Sequence, residues 1–139
     1  MLKETVIQSL VEKFGPSVTL DPVSPIFATF PAEHPAVGDV LIEEDGNEIT
    51  VFIGNITHGH FGSYEEKLSS DEHEAVIALN VTEFLAELFG DKILLFTARW
   101  GGGWSRVEDG MNESILSGKK TWFKWSGPIS SAGVLANVQ

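Results

Sequence analysis

The sequence predicts an α+β domain, in which two helices pack on one face of a mostly antiparallel sheet of about five or six strands. Three observations support this class. Two segments space their apolar residues as a helix does, several short segments alternate as strands do, and turn-forming residues join neighbouring strands directly. Strands that are close in sequence tend to pair, which favours an antiparallel meander. The expected order is one helix, four strands, a second helix and two strands.

Length and composition set the broad limits. The 139 residues suit a single domain that spans 1–139. Because the chain has no cysteine, disulfides, thiol catalysis and thiolate metal sites are excluded. No apolar run approaches the roughly 20 residues of a membrane-spanning helix, and the early Lys3 and Glu4 do not resemble a signal peptide. We therefore expect a cytoplasmic protein that does not enter a membrane.

Two amphipathic segments predict the helices. The first, 4–14, carries one apolar stripe and is expected to stop at Gly15, which a proline follows. The second starts near Asp71, where Glu74 three residues later matches an acidic variant of the capping box. A second apolar stripe continues from there to Gly90, which is expected to end the helix.

Short alternating segments predict the strands. The clearest feature is a hairpin within 39–61, because Asp45-Gly46 separates two alternating arms and turns of this kind need a positive φ. The segment 59–70 is expected to be a loop, and 105–118 is expected to be irregular. The other predicted strands are 18–20, 26–30, 92–98 and 119–126, of which 92–98 should be central because its apolar run is continuous.

Charge is distributed unevenly along the chain, whose net value is −11. Between Phe14 and Glu66 there are nine acids and no Lys or Arg, whereas 92–139 carries a net positive charge. An acidic field disfavours nucleic acid as a partner, because phosphate contacts dominate that affinity. It favours cations or a basic protein surface. Two interpretations stand side by side, namely a docking surface and solubility alone.

The sequence His58-Gly59-His60 is the candidate for metal binding. On an extended backbone, residues two apart point to the same side, so both imidazoles could share one ion. Two histidines and a carboxylate would suit zinc or iron(II). The plainer interpretation, which we favour, is that one histidine caps a turn and the other is exposed. A third ligand would have to come from His34, His73 or one of the nearby acids.

The segment 99–106 places three glycines between Trp100 and Trp104, with Arg99 and Arg106 outside them. We expect a mobile loop whose tryptophans and guanidinium groups could clasp an aromatic, sugar or anionic ligand. It lacks the strand and helix that flank a phosphate-binding loop. The plainer interpretation, which we favour, is a flexible turn between two core strands whose tryptophans fold back on the sheet.

Aromatic and acidic clusters give the remaining candidates. All four tryptophans lie within 100–125, and alternating aromatics there are typical of a strand that faces a core. An exposed Trp122 would instead mark a contact surface. A calcium site would need a longer turn than the predicted hairpin provides, so a solvated acidic tip is expected there. The acids of the tip are Glu43, Glu44, Asp45 and Glu48.

The leading functional prediction is a small acidic binding domain, without catalytic activity or cofactor, that docks to a basic protein partner. The acidic α+β make-up is similar to that of many bacterial proteins that neutralise a toxin by binding it. An antitoxin or immunity-like role is therefore one version, although no motif carries this likeness. The residues predicted to bind a ligand or partner are Glu43, Glu44, Glu48, Arg99, Trp100, Trp104 and Trp122.

The alternative prediction is a metal-dependent enzyme or a small-ligand-binding protein centred on His58 and His60. Its cofactor would be zinc or iron, and the glycine-rich segment 99–106 would act as a lid. A single histidine could also serve as a general base that Glu65 or Glu66 orients. Convergence of the histidines with the glycine-rich segment in one pocket would favour this class over docking.

Overall fold

A computed structural model describes residues 1–107 and 120–130. This part of the chain contains two α-helices and nine strands, and the strands form two antiparallel sheets. The α+β class is therefore confirmed. The strands divide into a five-stranded and a four-stranded sheet, where the sequence predicted one sheet. The irregular structure predicted for 105–118 is wrong at 105–106, which belong to a strand, and 108–118 lies outside the described residues.

Two helices form one layer of the fold. Helix α1 spans Leu2–Phe14, and a short 3-10 turn follows it, so the stop predicted at Gly15 is confirmed. Helix α2 spans Ser70–Phe89 and packs against α1. Just beyond α2, Asp91 has a φ of 59°, and its carboxylate accepts hydrogen bonds from the amide (3.1 Å) and hydroxyl (2.7 Å) of Ser126. Neither helix has the length and apolar content that crossing a membrane requires, within the residues described.

The start of α2 is held by a capping box made from other residues than predicted. The Glu72 amide donates to Ser69 Oγ (3.2 Å), and the Ser69 amide donates to Glu72 Oε1 (3.1 Å). The predicted box of Asp71 and Glu74 is therefore wrong. Helix α2 begins at Ser70, before the predicted start, so Ser69 is the N-cap and Glu72 takes the third helical position of the box. Glu74 instead lies 3.5 Å from the N-terminal ammonium.

Removing this cap should cost stability. We expect Ser69→Ala to lower the free energy of unfolding by about 1 kcal/mol, because an amide of α2 loses its acceptor. Urea unfolding at neutral pH measures this change. The matched control is Ser70→Ala, one residue further on and outside the cap, which should change stability by less than about 0.5 kcal/mol. Equal losses in the two variants would contradict a role for the cap.

The same cap predicts a pH dependence. The hydrogen bond from the Ser69 amide lowers the pKa of Glu72 from its ordinary value of 4.5. A group with a lowered folded-state pKa stabilises the protein above its unfolded value, and this contribution disappears as pH falls through the folded value. The stability difference between wild type and Glu72→Gln should therefore shrink in acid, as urea unfolding across a pH series would measure. A difference that stays constant into acid would contradict this origin.

The five-stranded sheet is a meander in which each strand pairs with the next. Its fifth strand corrects the prediction that 59–70 is a loop, because 59–61 belong to a strand. A segment with two exposed histidines and a buried glycine lacks the apolar alternation by which strands are found. The strands are β1 Thr19–Leu20, β2 Ile26–Phe30, β3 Val40–Asp45, β4 Glu48–Ile53 and β5 Thr57–Phe61.

The β3–β4 hairpin is confirmed, but its turn lies one residue later than predicted. Asp45 pairs with Glu48, so the two loop residues are Gly46 and Asn47. Gly46 has a φ of 65°, whereas Asn47 does not adopt a positive φ. A glycine with positive φ at the first loop position is the pattern of a type II′ turn. The turn fixes the register of the hairpin, and with it the face on which each acid lies.

The four-stranded sheet has the order β7-β6-β8-β9. Strand β6 lies between two neighbours, as its continuous apolar run predicted. The segment predicted to be a mobile glycine-rich loop is instead mostly strand, because β7 pairs with β6 along its whole length. Only Arg99 and Trp100 remain in the connecting loop. The strands are β6 Ile93–Ala98, β7 Gly101–Arg106, β8 Lys120–Lys124 and β9 Gly127–Ile129.

One main core lies between the helices and the inner faces of both sheets. Edge strand β5 of the first sheet contacts edge strand β7 of the second, so the two sheets meet at these edges. A smaller apolar cluster covers the other face of the second sheet and contains Leu94, Phe96 and Trp122. Central residues of the main core include Leu10, Val40, Ile42, Val51, Phe84, Leu85, Ile93 and Leu95.

Candidate functional site

The outward face of the five-stranded sheet is the strongest candidate site. Residues paired across antiparallel strands lie on the same face, and successive residues alternate between faces. The inward positions of β3 and β4 are buried in the main core, so the intervening residues point away from it. We call this surface the open face, and its central residues are Leu41, Glu43, Asp45, Glu48, Thr50, Phe52, His58 and His60.

Two cross-strand rows organise the open face. In one row Leu41 pairs with Phe52, and Phe52 pairs with His58. In the other row Glu43 pairs with Thr50, and Thr50 pairs with His60. The two histidines therefore occupy neighbouring rows on edge strand β5, as the two-residue spacing predicted. Each row ends at an exposed imidazole.

The two imidazoles contact each other. Their ring centroids lie 5.0 Å apart with an angle of 79° between the ring planes. The His58 ring also lies 5.8 Å from that of Phe52, and His60 Nδ1 lies 3.0 Å from Thr50 Oγ1. Thr50 is only 2% exposed although it belongs to the open face. Neither histidine caps a turn, because both lie inside β5.

The predicted acidic residues divide between the two faces of the hairpin. Glu43 and Glu48 belong to the open face, whereas Glu44 lies on the opposite face. There, Glu44 Oε2 accepts a hydrogen bond of 3.1 Å from the backbone amide of Lys3 in the first turn of α1. Negative charge is stabilising at that end of a helix. Glu44 therefore supports the fold, while Glu43 and Glu48 lie on the outward surface.

The electrostatic character of the open face follows from the sequence of its sheet. All five strands lie within 19–61, and the chain has no Lys or Arg between Phe14 and Glu66. No strand of this sheet therefore supplies a permanent cation. The charged side chains that its strands place on the open face are those of Glu43, Asp45 and Glu48. The surface is acidic, with the two imidazoles at one edge.

The other predicted metal ligands lie elsewhere. His34 accepts a hydrogen bond of 3.0 Å from the Ala36 amide at Nδ1 and lies against Gly127. His73 Nδ1 lies 2.7 Å from Ser63 Oγ. Across 1–107 and 120–130, no group of three or more His, Asp or Glu side chains is arranged to hold a metal ion. Only the pair on β5 remains as a metal candidate in the described part.

The glycines of β7 have a packing role. A methyl group added to Gly102 would overlap the carbonyl oxygen of Ile56 and lie 2.8 Å from its carbonyl carbon. At Gly103, the added group would lie 2.5 Å from the Phe96 ring. Ile56 belongs to the turn that leads into β5, so close backbone approach joins the two sheets here. This packing leaves no mobile lid of the kind predicted for 99–106.

Two side chains of β7, those of Trp104 and Arg106, are engaged in the fold. The Trp104 ring lies 4.8 Å from the Phe84 ring, and it packs against the main core. Arg106 Nε donates to Glu87 Oε2 at 2.8 Å, which ties β7 to α2. The Arg106 guanidinium also lies 5.4 Å from the Trp104 ring. Of the side chains predicted to clasp a ligand, Trp104 and Arg106 therefore pack at the junction of α2 with the sheets.

Trp100 and Trp122 differ sharply in exposure. Trp100 is 71% exposed in the β6–β7 loop, whereas Trp122 is 6% exposed in the smaller cluster. Phe96 contacts both, with ring centroids 6.2 Å from Trp100 and 5.5 Å from Trp122. The predicted binding residues of these two types are Arg99, Trp100, Trp104 and Trp122. Arg99 and Trp100 are the two whose side chains are exposed and accessible to a partner.

Sequence analysis did not predict a cleft of about 440 Å³ near the N-terminus. It brings together Met1, the hairpin tip at Gly46, and His73 at the start of α2. Ser63 and His73 resemble a nucleophile and its base, but a catalytic base also needs a third group that orients it. Among the described residues, His73 has no second hydrogen-bonding side chain. The pair instead fastens the loop before α2 to the helix.

Comparisons with known proteins found nothing similar, so the site is interpreted from its own chemistry. No family model, no curated protein and no solved structure gave a match to this chain.

Proposed function

We propose that this protein is a binding domain, without catalytic activity, whose open face docks to a basic protein partner in the cytoplasm. The observation that carries the proposal is a five-stranded sheet with carboxylates on its outward face and no Lys or Arg in any strand. A surface whose permanent charges are all negative attracts basic partners from a distance and disfavours acidic ones. Covering a basic toxin, as an antitoxin or immunity protein does, is one version of this role.

The apolar part of the open face supports docking by supplying contact area. Leu41 and Phe52 are neighbours in one row and are both partly exposed. Aromatic and aliphatic side chains surrounded by charge are typical of the centres of protein interfaces. Glu43 lies in the adjacent row, where it could pair with a partner's lysine or arginine at the edge of such a contact. Electrostatics would then set association rate and specificity, and the apolar row would add affinity.

The size of the open face limits what it can bind alone. Five strands about 4.8 Å apart span roughly 20 Å, and five-residue strands are about 17 Å long. The resulting area of a few hundred Å² is below the roughly 800 Å² that each partner buries in a stable complex. The partner must therefore reach past the sheet, over the acidic hairpin tip or past edge strand β5.

A charge-reversal experiment tests this proposal. Immobilised wild-type protein should retain a basic partner from native lysate at about 0.05 M salt and release it near 0.5 M, because salt screens exposed charges. The double variant Glu43→Lys/Glu48→Lys should bind the purified partner at least about tenfold more weakly by surface plasmon resonance, since like charges would then face each other. Both residues lie on the hairpin surface, so folding should be preserved, as circular dichroism would check.

The matched control places a single charge reversal on another surface, and it is compared with the single variant Glu43→Lys. Glu83 is exposed on α2, away from the open face, and Glu83→Lys should leave affinity within about twofold of wild type. Equal weakening by reversal at Glu83 and at the hairpin would show that only net charge matters. Recovery of no basic partner at low salt would count against docking altogether.

A further inference from the structure

We infer that His58 and His60 form a two-imidazole site for a divalent transition-metal ion at the edge of the open face. This inference is independent of the docking proposal, because it requires no protein partner. Both side chains are exposed on one face of β5, and only the buried Gly59 separates them in sequence. An ion can therefore reach both rings without any opening of the fold.

The separation of the rings fits a shared ion. Residues two apart on a strand have backbones roughly 6.6 Å apart, yet the ring centroids lie only 5.0 Å apart, so the imidazoles lean toward each other. A metal–nitrogen bond of about 2.1 Å places each ring centroid roughly 3.2 Å from the ion. Two such rings at a near-tetrahedral or square angle lie about 5 Å apart. Side-chain rotations that turn one nitrogen of each ring toward the ion would complete a chelate.

Thr50 orients one of the two ligands. Its hydroxyl lies 3.0 Å from His60 Nδ1, and when it accepts a hydrogen bond from the Nδ1–H, the lone pair of Nε2 is free for a metal ion. Metal-binding histidines generally donate their second ring N–H to such a partner. Thr50 is almost fully buried, so its hydroxyl is held in place. We assign Thr50 as a positioning residue, and not as a ligand.

The ligand set determines which ions bind. Imidazole nitrogen suits Cu²⁺, Ni²⁺ and Zn²⁺, whereas Mg²⁺ and Ca²⁺ prefer oxygen. Within the described part of the chain, no third His, Asp or Glu completes the site, so water would fill the remaining positions. Such a site is open and exchangeable. Affinity should follow the general order for nitrogen ligands, with Cu²⁺ above Ni²⁺ and Zn²⁺.

Titration calorimetry with the metal chlorides alone tests this site. We expect one Cu²⁺ per chain, weaker binding of Ni²⁺ and Zn²⁺, and no heat from Mg²⁺ at the same concentration. His58→Gln and His60→Gln should each lower Cu²⁺ affinity at least about tenfold, because either change converts a chelate into a single ligand. Thr50→Val should lower it about tenfold while both ligands remain.

The control is His73→Gln, which removes a histidine that hydrogen-bonds Ser63 on another surface and should leave Cu²⁺ affinity unchanged. In NMR spectra, Cu²⁺ should broaden amide signals of β5 and its neighbour β4 before those of other elements. Cu²⁺ binding of wild-type strength in the double variant His58→Gln/His60→Gln would overturn the inference. The inference would also be overturned if wild type bound two Cu²⁺ ions and each single substitution removed one of them, because two separate histidines would give that stoichiometry.

Discussion

Replacing Gly102 by alanine should destabilise the protein by about 3 kcal/mol or more. The new Cβ would overlap the carbonyl oxygen of Ile56. Backbone atoms cannot rotate away as a side chain can, so β7 or the turn before β5 has to move. The melting temperature should fall by about 10 °C or more, as differential scanning calorimetry would measure.

The matched control for this change is Gly46→Ala in the hairpin turn. Nothing lies within 4 Å of a Cβ added there, but φ is 65°. Its cost is therefore conformational and should be about 1 kcal/mol. A Gly102→Ala variant no less stable than Gly46→Ala would show that the sheets do not meet as closely as described.

The consequence of Gly102→Ala should extend to the open face. Ile56 immediately precedes β5, which carries both histidines. Any shift that relieves the overlap therefore moves the strand on which the imidazoles lie. We expect this variant to bind Cu²⁺ more weakly than wild type even where it remains folded, whereas Gly46→Ala should not. The comparison separates a loss of site geometry from a general loss of stability.

The glycine-rich segment shows why sequence analysis predicted the elements better than their contacts. Three consecutive glycines are typical of a mobile loop when only local preference is considered. The structure instead uses Gly102 and Gly103 to admit a backbone carbonyl and an aromatic ring, and Phe96 covers Gly103 across the strand pair. Ile56 is distant in sequence and Phe96 lies on another strand. No local sequence pattern could therefore predict these contacts.

The candidate site was predictable to the extent that it depends on strand periodicity. Two-residue spacing correctly placed His58 and His60 on one side of an extended segment. The same alternation places Glu43 and Glu44 on opposite faces of β3. Sequence alone could not show that Glu44 accepts a hydrogen bond from Lys3, because 41 residues separate the two. It also could not choose between burial and exposure for Trp122, which depends on the neighbouring strand.

The two proposals place different demands on one surface. Docking uses the acidic centre of the open face, whereas metal binding uses the imidazoles at its edge. A bound divalent ion would reduce the negative potential that attracts a basic partner, within about 10 Å at moderate salt. The two activities would therefore oppose each other if both occur. Measuring partner affinity with and without Cu²⁺ would detect this opposition, and the His58→Gln/His60→Gln variant should abolish it while retaining the partner.

Truncating Phe84 to alanine should destabilise the protein by about 3–5 kcal/mol. Phe84 is fully buried, and its ring centroid lies 5.3 Å from that of Phe61 in β5 and 4.8 Å from that of Trp104 in β7. It therefore joins α2 to the edges of both sheets. A cavity at this position would remove contacts from three elements at once, and the surrounding structure relaxes only partially around such a cavity.

The matched control for Phe84 lies on the same helix. Leu79 is 55% exposed, so Leu79→Ala should change stability by less than about 0.5 kcal/mol, as urea unfolding of both variants would measure. Phe84→Leu should recover part of the loss, because it restores most of the apolar volume without the ring contacts. A Phe84→Ala cost as small as that of Leu79→Ala would mean that α2, β5 and β7 do not share this core. The edge-to-edge meeting of the sheets, which positions the open face, would then lose its physical basis.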